Sequence, residues 1–241
     1  MIQEQIIYQG QILFRYRGII PAGLLLLGLV VYYFTFQGHE FFTPYVMVGL
    51  ISCMVGLFMR IYTVGYSAPN TSGRNTQRQV AHHINMTGLY SILRHPLYVA
   101  NFMMWVGVCI WVQQLYFLFT FILFFIIFYE RILYVEESFM ANKFGAHYSD
   151  WARKTPIIIP DIDQWQSPGG TFSWKKVLRQ EKNGVAAMLI VLFLFELVFQ
   201  YKKLGRVALH QIDCMIPMLI GVMIYVVLKY LKYNSSLLTT A

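Results

Sequence analysis

The chain is poor in charged residues. Only 12% of its 241 residues are Asp, Glu, Lys or Arg, while 57% are hydrophobic. A soluble globular domain of this composition would have too little polar surface to cover itself. The composition therefore excludes an ordinary soluble domain and predicts an integral membrane protein.

Cysteine is scarce too, and the motifs of several enzyme classes are absent. The three cysteines, Cys53, Cys109 and Cys214, stand singly in apolar stretches, which provides neither a disulfide framework nor the spacing of metal ligands. The sequence has no His-x-x-x-His pair, no Gly-rich phosphate loop and no Gly-x-Ser-x-Gly. These absences argue against zinc hydrolases, soluble nucleotide-binding folds and serine hydrolases. We predict no metal site, and a packing role for the cysteines.

Long apolar runs dominate the rest of the chain, and a membrane-spanning helix needs about 20 mostly apolar residues. The stretch from Leu97 to Tyr129 holds 33 residues without a charge. As one helix it would far exceed a hydrocarbon core of about 30 Å, so it has to turn back as a tight hairpin at Gln113 and Gln114. We predict an all-α polytopic membrane bundle of about six transmembrane helices: Gly18–Phe36, Pro44–Gly65, Pro96–Val112, Leu115–Val135, Gly184–Tyr201 and Ile212–Leu231.

The distribution of basic residues predicts the orientation. With the N-terminus in the cytoplasm, 16 of the 19 Lys and Arg residues lie in cytoplasmic segments, as expected from the positive-inside rule. Both termini are then cytoplasmic, and the active site is expected in two long cytoplasmic segments, residues 66–95 and 136–183. The net charge of +8 is spread over the face that meets anionic lipid, so no nucleic-acid partner is predicted. This layout divides the chain into a membrane core (1–160), a cytoplasmic linker (161–183) and an additional two-helix transmembrane hairpin (184–241).

A polar cluster lies where the third predicted span begins, in the sequence GLYSILRHPLYVAN. Pro96 favours the first turn of a helix, whose N-terminal N–H groups favour a carboxylate or a phosphate. If that helix extends back to Arg94, then Arg94, Tyr98 and Asn101 share one face. A simple helix start with interfacial aromatic residues would explain Tyr90 and Tyr98, but not the adjacent Arg and His.

A second cluster follows the fourth predicted span. On a helix, Glu130, Tyr134 and Glu137 share a face, and Gly145 is a helix stop. An interfacial helix that only anchors the loop would leave the paired acids Glu136 and Glu137 unexplained, although they lie close to the span.

Two further ionisable residues lie within or at the end of predicted spans. Arg60 ends the second span, where an arginine that reaches to the membrane surface would set the topology and do nothing else. Glu196 lies in the middle of the fifth span. Such a residue is a functional candidate by default, and a structural hydrogen bond to a neighbouring helix explains it equally well.

Three linked motifs resemble the isoprenylcysteine carboxyl methyltransferase family and its phospholipid-methylating relatives. They are G-x-Y-x-x-x-R-H-P-x-Y at Gly88 to Tyr98, R-x-x-x-x-E-E at Arg131 to Glu137, and F-G-x-x-Y at Phe144 to Tyr148, followed by a closing Pro160. The resemblance covers about Leu57 to Pro160. It implies methyl transfer from S-adenosylmethionine to a lipophilic or lipid-anchored acceptor that enters from the bilayer.

The resemblance also implies roles for single residues. Arg60 would orient an anionic acceptor, and Glu137 would share the catalytic role and contact the cofactor. The remaining cofactor-binding positions carried over from the family are Tyr90, Arg94, His95, Tyr98 and Glu136.

The acceptor itself stays open at this point. A carboxylate or phosphate is already ionised at neutral pH and needs no general base, which favours transfer to oxygen. An amine has to lose a proton, so Glu136, Glu137 or His95 would then act as the base.

Two other classes of protein compete with this interpretation. Membrane sterol and enone reductases use a nicotinamide cofactor and are similar around an Arg-x-Pro-Asn-Tyr-x-x-Glu run, but this chain has Leu97 at the Asn position. In a non-catalytic membrane scaffold, Arg94, His95, Glu136 and Glu137 would be individually replaceable. The oligomeric state is left open.

Overall fold

The computed structural model describes residues 2–36, 43–68, 71, 79–207, 209, 212–235 and 237–238. Within these ranges the protein is all-α and has no β-strand, which confirms the predicted fold class. The α-helices are α1 (Ile2–Arg15), α2 (Ile19–Thr35), α3 (Thr43–Tyr66), α4 (Leu89–Ile92), α5 (Pro96–Val112), α6 (Leu115–Phe144), α7 (Ala146–Lys154), α8 (Trp174–Leu204) and α9 (Met215–Asn234).

Each predicted span overlaps one helix. Four helices are long and apolar enough to cross a membrane, namely α3, α6, α8 and α9. Helices α1 and α2 are bent by 73° and count as at most one further span, and α5 is shorter, with 17 residues. The chain is therefore an integral membrane protein, while the number of spans and their orientation stay predictions. Arg74 and Arg78, which entered the charge count, lie outside the described residues.

Two predicted helix ends are confirmed, whereas the start of α8 differs from the prediction. The hairpin turn is confirmed, because Gln113 ends α5 with a φ of 60° in the left-handed region. Helix α6 continues past Val135 and ends at Gly145, as the second cluster predicts. Helix α8 begins at Trp174, well before Gly184, because Ser173 caps its N-terminus by accepting a hydrogen bond from the backbone N–H of Lys176.

Helices α3 and α5 pack closely because small residues face each other. A Cβ atom on Gly49 would stand 2.7 Å from the carbonyl oxygen of Gly107, and one on Gly56 would stand 2.5 Å from that of Ala100. Contacts of this kind are how membrane helices associate without a hydrophobic driving force between them. They bring the C-terminal end of α3, with Arg60, against α5.

This contact predicts a large effect of one substitution. We expect Gly107→Val to destabilise the protein by about 1–3 kcal/mol, because the added methyl groups overlap the α3 backbone. The control is Gly23→Val, since a Cβ on Gly23 meets no atom within 4 Å. Thermal unfolding in detergent measures both. Equal Tm values for the two variants would contradict the close contact.

Helix α1, which was not predicted, lies across the polar end of α6. A Cβ on Gly10 would overlap the α6 backbone at Arg131. Phe14 packs with Phe128 and Ile132 in a buried cluster. The turn after α1 therefore holds Arg17 close to the acids of α6.

The start of α8 is attached to the end of α3. The ammonium group of Lys176 donates to the carbonyl oxygens of Ser67 (2.7 Å) and Ala68 (3.0 Å) and to the hydroxyl of Ser67 (2.6 Å). A cation at these carbonyls complements the negative end of the α3 dipole. The segment after the predicted core thus folds back onto α3.

Glu196 has a structural role in the α8–α9 hairpin. Its two carboxylate oxygens each accept a backbone N–H at 2.8 Å, from Asp213 and Cys214 at the start of α9. A carboxylate is favoured at such a helix N-terminus. This geometry favours the structural interpretation of the buried Glu196.

Candidate active site

The Arg94 segment is an extended turn before α5 and does not continue that helix. Leu93 is extended (φ −143°, ψ 131°), His95 is the N-cap residue, and Pro96 occupies the first turn of the helix. The backbone N–H of Arg94 donates to the carbonyl oxygen of Pro156 at 2.8 Å. Helix α5 therefore does not extend back to Arg94, so the condition under which Arg94, Tyr98 and Asn101 would share one helix face is not met, because Pro96 disfavours helical geometry in the residue before it.

Glu137 holds Arg94 and His95 together. Nη1 of Arg94 donates to both carboxylate oxygens, at 2.9 and 3.0 Å, and Nε2 of His95 lies 3.0 Å from Oε1. All three side chains are largely buried, with exposed fractions of 18% for Arg94, 13% for His95 and 26% for Glu137. The R-H-P motif and the E-E motif therefore meet through charge-assisted hydrogen bonds.

Glu136 points to different partners. It accepts a hydrogen bond from the hydroxyl of Tyr98 at 2.6 Å, and its Oε1 lies 3.3 Å from Nη1 of Arg17. Successive residues on a helix are about 100° apart, so the paired acids face separate neighbours. Glu130, which was predicted to share a helix face with Glu137, is 65% exposed. It pairs with the neighbouring Arg131 and does not line the polar cavity.

A polar cavity of about 170 Å³ opens beside these groups. Of the predicted site residues, Tyr90, Arg94, His95 and Glu136 line it. Tyr98 and Glu137 support the wall through their bonds to Glu136, Arg94 and His95. Arg17, Asn85, Tyr148 and Trp151 also line the cavity.

Three buried donors of this cavity wall lack an acceptor within the part of the chain that the structure describes. They are Nε2 of Gln79, Nε of Arg94 and Nε1 of Trp151. A buried donor without a partner costs about 1–3 kcal/mol, so such groups call for an acceptor. The wall therefore suits a ligand that carries several acceptor atoms.

Two tyrosines of this wall are neutral at physiological pH. Burial, reinforced by the charge of Glu136, raises the pKa of Tyr90. Burial, reinforced by the charge of Glu137, raises the pKa of Tyr148. Both hydroxyl groups thus remain protonated and available as hydrogen-bond donors.

Arg60 lies in a separate buried network. Its Nε and Nη2 donate to the two carboxylate oxygens of Glu181 at 2.6 and 2.8 Å, and its Nη1 donates to Oδ1 of Asn101. The side chains of Arg60 and Glu181 are 11% and 5% exposed. The guanidinium of Arg60 is thus already paired with a buried carboxylate, and its role in orienting an anionic acceptor stays a prediction.

Sequence reasoning missed Glu181 because it placed residues 161–183 in a linker. A signal was available: Glu181 follows Val177 by four positions and precedes Met188 by seven, and both of these residues are buried. Such spacing puts all three on one helix face.

An apolar cavity of about 250 Å³ lies between α2, α5 and α6. Tyr129 lines it, and the Tyr129 ring is 4.9 Å from the ring of Tyr98. Tyr98 in turn donates to Glu136, which lines the polar cavity. Tyr98 therefore lies between a lining residue of the apolar cavity, Tyr129, and a lining residue of the polar cavity, Glu136.

About half of the chain is similar to known proteins. Residues 44–147 match the phospholipid methyltransferase family. The chain is 32% identical over 116 residues to a nickel-cobalt-cadmium resistance protein of Alcaligenes xylosoxydans (47% of this chain, 51% of the relative). It is 29% identical over 120 residues to a cobalt-zinc-cadmium resistance protein of Cupriavidus metallidurans (49% and 51%).

A third relative carries a methyltransferase name. The protein-S-isoprenylcysteine O-methyltransferase of Tribolium castaneum is 26% identical over 120 residues, which cover 49% of this chain and 43% of that protein. The chain thus spans about half the length of the curated relatives it matches. No solved structure matches it. Residues 44–147 contain the R-H-P and E-E motifs, and their match to the phospholipid methyltransferase family, together with the similarity to this relative, supports an isoprenylcysteine carboxyl methyltransferase-like family of membrane methyltransferases.

Proposed function

We propose that the protein is an S-adenosylmethionine-dependent methyltransferase that acts on a lipophilic acceptor from the bilayer. The observation that supports this proposal is that Tyr98 contacts lining residues of both cavities: its ring is 4.9 Å from that of Tyr129 in the apolar cavity, and its hydroxyl donates to Glu136 in the polar cavity. A water-soluble donor in the polar cavity and a lipid-borne acceptor in the apolar cavity would approach each other at Tyr98.

The polar cavity fits the cofactor by its chemistry. Its donors on Gln79, Arg94 and Trp151, which lack an acceptor among the described residues, suit the carboxylate, ribose and adenine acceptors of S-adenosylmethionine. The carboxylate of Glu136 in the same wall suits the cofactor's ammonium group. When bound, the cofactor would supply a methyl group on a positively charged sulfur.

The other residues act by holding the wall in place. Glu137 orients Arg94 and His95, and Tyr98 orients Glu136. With Tyr90, these are the residues we assign to cofactor binding. Displacement at a sulfonium methyl neutralises charge, so alignment and exclusion of water matter more than a strong base.

We infer that transfer to oxygen is preferred to transfer to nitrogen. Glu137 is engaged by Arg94 and His95, and Glu136 by Tyr98 and Arg17. Carboxylates stabilised by such partners are poor bases for an amine, whereas a carboxylate or phosphate acceptor needs none.

Calorimetric titration of the detergent-purified protein tests the class of enzyme. We expect S-adenosylmethionine to bind with a dissociation constant between about 1 µM and 1 mM, the usual range for enzyme substrates. NADPH should give no heat of binding. Binding of NADPH alone would overturn the proposal in favour of a reductase, and binding of neither would favour a scaffold. Mass spectrometry of lipid extracts from cells with and without the protein then identifies the methylated acceptor.

A further inference from the structure

The apolar cavity is long and follows two helices. Its α2 side extends from Pro21 to Val31, and its α6 side extends from Tyr116 to Tyr129. Between Pro21 and Val31 the cavity follows about ten residues of α2, or about 15 Å at a rise of about 1.5 Å per residue. None of its lining residues is charged, and only Tyr116, Thr120 and Tyr129 carry a hydroxyl group.

The end of the cavity at Tyr129 lies beside the proposed cofactor site. Ile20, the neighbour of Pro21 in α2, packs with Tyr129 against the buried cluster that contains Phe128. The Tyr129 ring is 4.9 Å from the ring of Tyr98, and the hydroxyl of Tyr98 donates to Glu136 in the polar cavity. The head of a lipid in the apolar cavity would therefore lie at Tyr129, with its chain directed away from the polar cavity.

A pair of hydroxyl groups closes the other end of the cavity. The hydroxyl of Thr35 donates its one hydrogen to the carbonyl oxygen of Val31 at 2.8 Å, so it accepts the hydrogen bond from the hydroxyl of Tyr116. This bond joins the first turn of α6 to the last turn of α2. The helices also meet close by, because a Cβ atom on Gly28 would overlap the Phe117 ring. A chain that reaches beyond this end has to displace Tyr116.

The dimensions of the cavity fit one extended hydrocarbon chain. An extended chain advances about 1.2 Å per bond, so a length of about 15 Å holds about 12 bonds. Over this length the volume of about 250 Å³ gives a cross-section of about 17 Å², which matches one column of carbon atoms packed about 4 Å apart. Two chains side by side would need about twice that area.

We propose that the apolar cavity binds the single hydrocarbon chain of the acceptor, and that Tyr116, held by Thr35, limits the length of this chain to about 12 bonds. This inference rests on the proposed methyltransferase function, because the chain belongs to the acceptor of that reaction. The acceptor is then a lipid, or a lipid-anchored molecule, with one chain. Helix α2 lies outside residues 44–147, so the family match does not include this wall of the cavity.

A photoreactive chain tests where the acceptor chain lies. N-acetyl-S-dodecylcysteine with a diazirine at the end of its chain is added to the full-length protein in nanodiscs of two-chain phosphatidylcholine. After illumination, mass spectrometry identifies the labelled residues. We expect saturable labelling of Val31 and Tyr116. Label spread over Phe119 and Leu123, which are each 62% exposed and line neither described cavity, without enrichment at Tyr116 would overturn the chain site.

Competition by unlabelled N-acetyl-S-alkylcysteines tests the length limit, because only the chain differs among them. We expect half-displacement by the hexadecyl compound to need about a fivefold higher mole fraction than by the dodecyl compound, since the longer chain breaks the bond between Tyr116 and Thr35. In Tyr116→Ala the two compounds should agree within about twofold. Thr35→Val keeps the shape but removes the hydrogen-bond acceptor, so its ratio should lie between these values. Phe119→Ala, the control on the same helix, should match the wild type.

A filled cavity should have the opposite effect. Thr120→Phe occupies the cavity one turn before its far end, so the dodecyl compound should compete about fivefold more weakly. The shorter octyl compound should stay within about twofold of its wild-type value. Leu123→Phe is the matched control, because it adds the same ring at an exposed position that lines neither described cavity.

Three results would overturn the proposal. They are an equal ratio of the two competitors in the wild type and Tyr116→Ala, an equal effect of Phe119→Ala, and equal competition by the two-chain dilauroyl phosphatidylethanolamine. If Tyr116→Ala does not fold, unchanged competition by the dodecyl compound in Thr120→Phe contradicts the site. Failure of the proposed function looks different, since labelling needs no methyl transfer: S-adenosylmethionine would then give no heat of binding while the label still reaches Tyr116.

Discussion

Replacing Glu137 with alanine is expected to weaken the binding of S-adenosylmethionine about 100-fold, or about 3 kcal/mol. Glu137 makes three contacts of 2.9–3.0 Å with Arg94 and His95, two lining residues of the polar cavity. A hydrogen bond to a charged group contributes about 1.5–3 kcal/mol, and without Glu137 both partners lose their orientation. Calorimetry on the purified variant measures the change.

Glu130→Ala is the matched control, because Glu130 lies on the same helix, is 65% exposed and contacts only the neighbouring Arg131 in the described structure. Its affinity for the cofactor should equal that of the wild type. His95→Ala should weaken the binding of S-adenosylmethionine as Glu137→Ala does, while the protein is still expressed. Unchanged affinity in both His95→Ala and Glu137→Ala would refute the assignment of this wall to the cofactor.

Replacing Arg60 with alanine is expected to lower the free energy of unfolding by about 3–5 kcal/mol, because it leaves the buried carboxylate of Glu181 unpaired. Glu181→Ala should have a similar effect by leaving Arg60 unpaired. The double variant should lose much less than the sum of the two, since neither charge is then left alone. Denaturation in mixed detergent micelles measures all three variants in one series.

The control for this cycle is Arg153→Ala. Arg153 and Asp150 form an exposed pair at 3.8 Å, with exposed fractions of 78% and 67%, so the loss should be below about 1 kcal/mol. Additive losses in the Arg60 and Glu181 variants would contradict direct pairing.

Measurements of cofactor binding and turnover distinguish the Arg60–Glu181 pair from the residues of the polar cavity wall. Because Arg60 lines neither described cavity, Arg60→Ala should still bind S-adenosylmethionine while turnover falls. Intact turnover in Arg60→Ala would return this residue to a purely structural role. The role of Arg60 in orienting an acceptor would then also lose support.

Much of the fold follows from local properties of the chain. Apolar runs of membrane length predict α3 and α6, and an uncharged run too long for one span requires the turn at Gln113. Pro96 and Gly145 mark helix ends because proline favours a first helical turn and glycine tolerates a positive φ. These features depend on residues that are close in sequence, so the amino-acid order alone is enough to predict them.

The partners of the site residues depend on how distant helices pack. Arg60 and Glu181 are 121 positions apart, and Arg17 and Glu136 are 119 positions apart. Hydropathy and periodicity show which face of a helix is buried, but they do not show which other helix covers it. The motifs therefore identified Arg94, His95 and Glu137 as members of one site. That Arg60 is paired with Glu181, and that Arg17 lies beside Glu136 and Tyr98, followed from the packing of α8 on α3 and of α1 on α6.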